Sequence, residues 1–133
     1  MESQYKVVFG RYLLIASGLL FLAVALGAFG AHGLEKVFNE KQIANWHTAN
    51  NYMVMHAFAL FVVAVLMQVL PKQAKIWQRA GLAFLLGITL FSGSLFLWSI
   101  TLYTPLVFFT PIGGTFFLIG WAVMFWGSWK VKN

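Results

Sequence analysis

Trp46 to Leu70 reads WHTANNYMVMHAFALFVVAVLMQVL, and this stretch decides the class of the chain. It opens on polar and interfacial residues. From Met53 to Pro71 only His56 and Gln68 interrupt the apolar side chains. About 20 such residues, rising about 1.5 Å each in a helix, cross the hydrocarbon of a bilayer. Of all the Asp, Glu, Lys, Arg and His residues, only His56 lies well inside an apolar run. A polar group at that depth is costly without a partner, so the other spans are expected to pack around this one.

Composition agrees. Apolar residues make up 61% of the 133 and charged residues 9%, with a mean hydropathy of +0.81. An average soluble domain carries about 25% charged residues, and one this small has too little interior for so many apolar side chains. The expectation is a single all-α membrane domain, 1–133. The absence of cysteine excludes disulfides, thiol catalysis and thiolate metal sites. The net charge of +6 comes from basic residues at the ends of apolar runs. That placement suits lipid headgroups, and no nucleic-acid partner is expected.

Four spans are predicted, at about 12–31, 48–70, 80–102 and 111–129, forming an antiparallel bundle. The first is read as a retained span, since the apolar core of a signal peptide is shorter, about 7–15 residues. Its second half carries Ala23, Gly27 and Ala31 at intervals of four, with Gly30 beside them. That spacing makes a flat ridge on which a second backbone can approach. Glu35-Lys36-Val37-Phe38 with Ile43 is expected to form a short amphipathic interfacial helix. The third span carries Thr89, Ser92-Gly93-Ser94 and Ser99, whose hydroxyls can bond their own helix or a neighbour. Thr110-Pro111 reads as an N-cap and first helical residue, and Gly113-Gly114 as a place of close backbone approach. Gly93 joins these glycines as a packing position. A weak internal repeat aligns Gly18-Leu19-Leu20-Phe21-Leu22 with Gly81-Leu82-Ala83-Phe84-Leu85, and both halves would enter the membrane from the same side.

Basic residues set the orientation. Lys6, Arg11, Lys72, Lys75, Arg79, Lys130 and Lys132 fall on one side of a four-span chain, and Lys36 and Lys41 on the other. By the positive-inside rule, both termini of this multi-pass chain are expected in the cytoplasm.

Several stretches together resemble one family. They are Gly27-Ala28-Phe29-Gly30-Ala31-His32-Gly33-Leu34, Tyr52 with His56, Phe91-Ser92-Gly93-Ser94-Leu95, and Thr110-Pro111-Ile112-Gly113-Gly114 with Gly120-Trp121. In this order they are similar to domain of unknown function 423, which includes bacterial inner-membrane proteins and eukaryotic transmembrane protein 256-like proteins. The resemblance implies a small multi-pass protein of the cell envelope. It carries over no catalytic or ligand residue.

The remaining chemistry is sparse. His47 and Asn51 share a helix face, and His32 could join them in an outer polar cluster satisfying helix ends and water. His32, His47 and Glu35 or Glu40 are the thinnest of metal sets. Met53 and His56 share a face that could suit Cu(I), although Met is an ordinary core filler. Only one histidine lies deep, which disfavours bis-histidine haem. No metal or cofactor is expected, and the spans hold neither a carboxylate for proton coupling nor a nucleophile paired with a base. Enzyme is the least favoured class.

His56, Ser92 and Ser94 form the candidate intramembrane polar site, with a serine hydroxyl as the first choice of partner for a neutral His56. Two readings follow. One is a structural or accessory component that self-associates or joins another membrane protein, with these groups as interhelical contacts. The other is a small channel or transporter with a path past them.

Overall fold

Asn39 accepts from the Gln42 backbone N–H and Gln42 Oε1 accepts from the Asn39 N–H, both at 2.9 Å. This capping box starts a 30-residue helix eight residues earlier than the apolar run alone suggests. The structure is a computed structural model describing residues 2–132, with side chains from Lys6 onward. Its helices are α1 (Glu2–His32), α2 (Glu40–Val69), α3 (Ala74–Gly87), α4 (Gly93–Thr101) and α5 (Phe109–Lys132). A π turn, Ile88–Ser92, joins α3 to α4, so the two act as one rod. Four helices are thus long and apolar enough to cross a membrane.

The ends of these helices have local causes. Pro71 cannot donate to the α2 ladder, and Trp77 Nε1 donates to the Leu70 carbonyl at 3.3 Å across the bend. Leu102 ends α4 in the left-handed region, at φ 56°, with its N–H bonded to the Trp98 carbonyl. A 3₁₀ stretch, Thr104–Phe108, then runs into α5. Thr110 is therefore already helical and does not cap the helix as expected. The expected interfacial helix is also absent, because Leu34–Lys36 forms only one 3₁₀ turn and Ile43 belongs to α2.

The second and third long helices are the interior ones, with 44% and 50% of their apolar windows buried against 17% for the first and fourth. α1 lies on α2 through the small-residue ridge. Ala23 is buried, and a Cβ on Gly27 would lie 2.9 Å from Asn50 Nδ2. Trp46 closes over Gly30, with Cδ1 2.7 Å from where a Cβ would be, and its indole donates to the Leu26 carbonyl at 2.9 Å. Ala31, the last member of the ridge, is exposed. Tyr12 Oη donates to the Gln78 carbonyl at 3.0 Å and ties α1 to α3.

The α3–α5 contact has a pattern of its own. Trp77, Phe84 and Phe91 recur every seven residues, as do Gly127, Gly120 and Gly113. Each ring helix position meets a glycine. A Cβ on Gly120 would sit 2.5 Å from Phe84 Cε1, one on Gly127 2.5 Å from Trp77 Cζ3, and one on Gly113 against the Phe91 backbone. Between them the direction reverses, and Phe117 of α5 occupies the space over Gly87 of α3. Small residues permit such approach where dispersion must replace the hydrophobic effect as the force between helices. The π turn lies against α5 at Gly113, where an added Cβ would stand 2.8 Å from the Leu90 carbonyl carbon. A Cβ on Gly114 would make ordinary contact with the Phe91 ring, and one on Gly93 would meet only the Ile88 carbonyl, at 4.0 Å, so neither glycine is required by close approach.

Gly120→Leu should therefore lower the thermal midpoint of the detergent-solubilised protein, by overpacking of about 1–3 kcal/mol. Adding Phe84→Ala should recover part of the loss. A Gly120→Leu chain that melts with the wild type would remove this interlock from the description.

Candidate functional site: a buried imidazole among aromatic rings

His56 is 2% exposed, at the centre of the packed helices. α3 presents the ring of Phe84 to it, with centroids 5.6 Å apart, rather than a serine. Phe117 of α5 lies flat on the imidazole, with centroids 3.5 Å apart and planes within 8°. Trp121, one turn further along α5, donates from Nε1 to His56 Nε2 at 3.1 Å. The other ring nitrogen, Nδ1, lies 2.8 Å from the carbonyl of Tyr52, one turn back on its own helix.

These contacts fix the tautomer. An indole N–H can only donate, so Nε2 must carry a lone pair. A carbonyl can only accept, so Nδ1 must carry the proton. The imidazole is neutral, and both its nitrogens are used. In this state it offers no free lone pair to a metal. His56 borders a cleft of about 390 Å³ walled mainly by Tyr52, Met55, Phe91, Phe117 and Trp121, with Thr115, whose hydroxyl donates to the Pro111 carbonyl, also in the lining.

The expected bond from Ser92 or Ser94 to His56 is not formed. Ser94 Oγ lies 2.7 Å from Thr110 Oγ1 and donates to the Phe91 carbonyl at 2.9 Å. Ser92 is buried in the π turn, and its hydroxyl has no partner among the described residues; the same holds for Asn50 Oδ1. Matching by depth alone selected the serines, but the approach of Phe84 and Phe117 leaves α5 to supply the donor. Met53 is buried in the core.

At the end bearing the 33–39 and 102–108 connections, His32 and Asn51 are exposed and His47 is half-buried beside Gly30. No metal-holding group of three His, Cys, Asp or Glu residues occurs among the described residues. The polar contact that does form there was not anticipated. Gln42 Nε2 donates to the Ser99 carbonyl at 2.7 Å, and Ser99 Oγ lies 3.0 Å from the Gln42 carbonyl. The Asn39-x-x-Gln42 spacing signals the capping half of this arrangement, whereas nothing in the sequence signals its reach across to α4.

Comparison with known proteins shows the family. A family model described as "Protein of unknown function (DUF423)" matches residues 26–114, more than half of the chain. The chain belongs to the DUF423 family. Bacillus subtilis UPF0382 membrane protein YwdK is 42% identical, over 85% of this chain and 91% of its own length. The Haemophilus influenzae UPF0382 membrane protein is 39% identical, over 92% and 97%. Escherichia coli K12 UPF0382 inner membrane protein YgdD is also 39% identical, over 100% and 95%. No solved structure matches. This DUF423 chain is accordingly a membrane protein, of a family whose description assigns no activity. His56 lies within the matched residues and Trp121 beyond them.

The tautomer is directly observable. In ¹⁵N spectra of histidine-labelled protein, His56 should show a protonated Nδ1 and a bare Nε2. Trp121→Phe should remove the hydrogen bond at a cost of about 0.6 kcal/mol, at most about 1.7, as for other intramembrane pairs. The opposite tautomer in the wild type would contradict the Trp121 bond.

Proposed function

We propose that this DUF423 protein is a structural or accessory component of the cell membrane, acting through helix packing and self-association. The observation that carries the reading is His56. A histidine serving a proton or ion path needs a free nitrogen and polar access, whereas here both nitrogens are bonded and the adjacent cleft is aromatic. The imidazole acts as an interhelical contact between α2 and α5. A homo-oligomer, or a complex with another membrane protein, would cover part of the apolar surface that α1 and α5 leave open.

The proposal includes an antiparallel four-span arrangement with both termini in the cytoplasm. It is supported by the gathering of basic residues at one end, since the Tyr12–Gln78 bond and the Gly127–Trp77 contact bring Arg11, Arg79 and Lys130 together. In intact cells a single cysteine at Gln73 should be shielded from an impermeant thiol reagent, and one at Asn39 should react. Labelling at Gln73 but not Asn39 inverts the orientation.

One observation favours a second reading, a small channel or transporter. The unpartnered Ser92 hydroxyl lies in a π turn, and such turns recur at functional sites. Reconstituted vesicles distinguish the two. The structural reading expects ion and proton flux equal to that of protein-free vesicles, with oligomers present in native mass spectra. Flux that is lost in Ser92→Ala or His56→Leu, with folding intact, would establish the transport reading instead.

A further inference from the structure

A second cavity, of about 720 Å³, opens at the end of the molecule that carries the 102–108 connection, apart from His56. Its size falls within the roughly 300–1,000 Å³ of sites that hold small molecules. Leu95, Trp98 and Val107 supply apolar walls. The polar residues in its lining are Lys41, Asn45, Thr104 and Thr110, all able to donate a hydrogen bond, although the Thr110 hydroxyl already meets Ser94; no carboxylate is among them.

Lys41 is the informative residue. It stands in the first turn of α2, where the helix dipole disfavours a cation. Its ammonium lies 5.3 Å from the Trp98 ring centroid, and no ion pair holds it among the described residues. Lys41 and Trp98 both line the cavity. Asn45, one turn further along α2, faces the same space. A cation beside two donors, above an apolar trough, complements a molecule with an anionic head and a hydrocarbon tail.

We propose that this cavity binds an anionic phospholipid of the adjacent leaflet. Its phosphate is held by Lys41 with Asn45 and Thr104, and its acyl chain lies along Leu95 and Val107. The inference is independent of the structural or transport role, because it uses no group of the His56 site. Lys41 supplies charge selectivity and the apolar wall supplies retention, so the two can be removed separately.

The test is native mass spectrometry of the full chain, delipidated and then exposed to equimolar phosphatidylglycerol and phosphatidylethanolamine. Wild type should retain phosphatidylglycerol about fivefold over phosphatidylethanolamine, the increment of one basic residue near a membrane surface. Lys41→Arg should keep the preference and Lys41→Ala should abolish it. Lys75→Ala, at the opposite end, should leave it unchanged. Val107→Trp fills the trough with Lys41 intact and should cut retention of phosphatidylglycerol. Circular dichroism confirms the helical content of each variant. Equal retention of the two lipids by wild type overturns the proposal, as does a preference that survives Lys41→Ala, one that falls with Lys75→Ala instead, or retention indifferent to Val107→Trp.

Discussion

The rest of the packing depends on how closely α3 and α5 approach. Two seven-residue series, aromatic on one helix and glycine on the other, stay in step from Trp77–Gly127 to Phe91–Gly113. Because Phe117 fills the space over Gly87 within the same series, sliding one helix along the other would put rings against rings. Phe117 and Trp121 are consequently held where they meet His56, one by its face and the other by its N–H. The imidazole is thus a result of the interlock as much as a contributor to it. In hydrocarbon, where water cannot complete an unfilled hydrogen bond, that placement keeps His56 satisfied.

Much of the architecture was legible in the sequence because apolar runs and their basic flanks depend on solvent alone. Four long helices, the ridge at Ala23, Gly27 and Gly30, and the close approach at Gly113 all follow from that level. The partner of His56 did not. Trp121 sits in a stretch of aromatic residues, where an indole is one apolar body among many until its N–H is aimed. The serines looked better suited because hydroxyls announce hydrogen bonding. Ser94 is instead occupied by Thr110 and its own helix, and Ser92 has no partner among the described residues. The start of α2 is hidden for a different reason: Glu40 to Asn45 are too polar for a span, yet the Asn39–Gln42 box is sufficient to begin the helix there.

The two ends of the molecule are held by different chemistry. At the basic end the contacts are large rings, Tyr12 and Trp77, set over Gly81 and Gly127. At the other end Trp46 likewise covers Gly30, but amides and hydroxyls add contacts of their own. Gln42 uses its carbonyl oxygen for its own cap and its amide nitrogen for Ser99, so the start of α2 and the end of α4 are joined by one side chain. Lys41, between Asn39 and Gln42, is exposed and lies against Trp98 and its cavity.

The π turn has a consequence for angular phase. A helix that adds a residue without completing a further turn delays its own rotation, so everything beyond it faces a different compass point from that of an unbroken α-helix. Before Ile88 the rod aims Trp77 and Phe84 at α5; after Ser92 it aims Phe96 and Ser99 at α2, where they meet Trp46 and Gln42. These five residues therefore separate a stretch that packs on both α5 and α2, where Phe84 meets Gly120 and His56, from one that packs chiefly on α2. They work as a phase shifter, and the unpaired hydroxyl of Ser92 lies at the seam between the two settings.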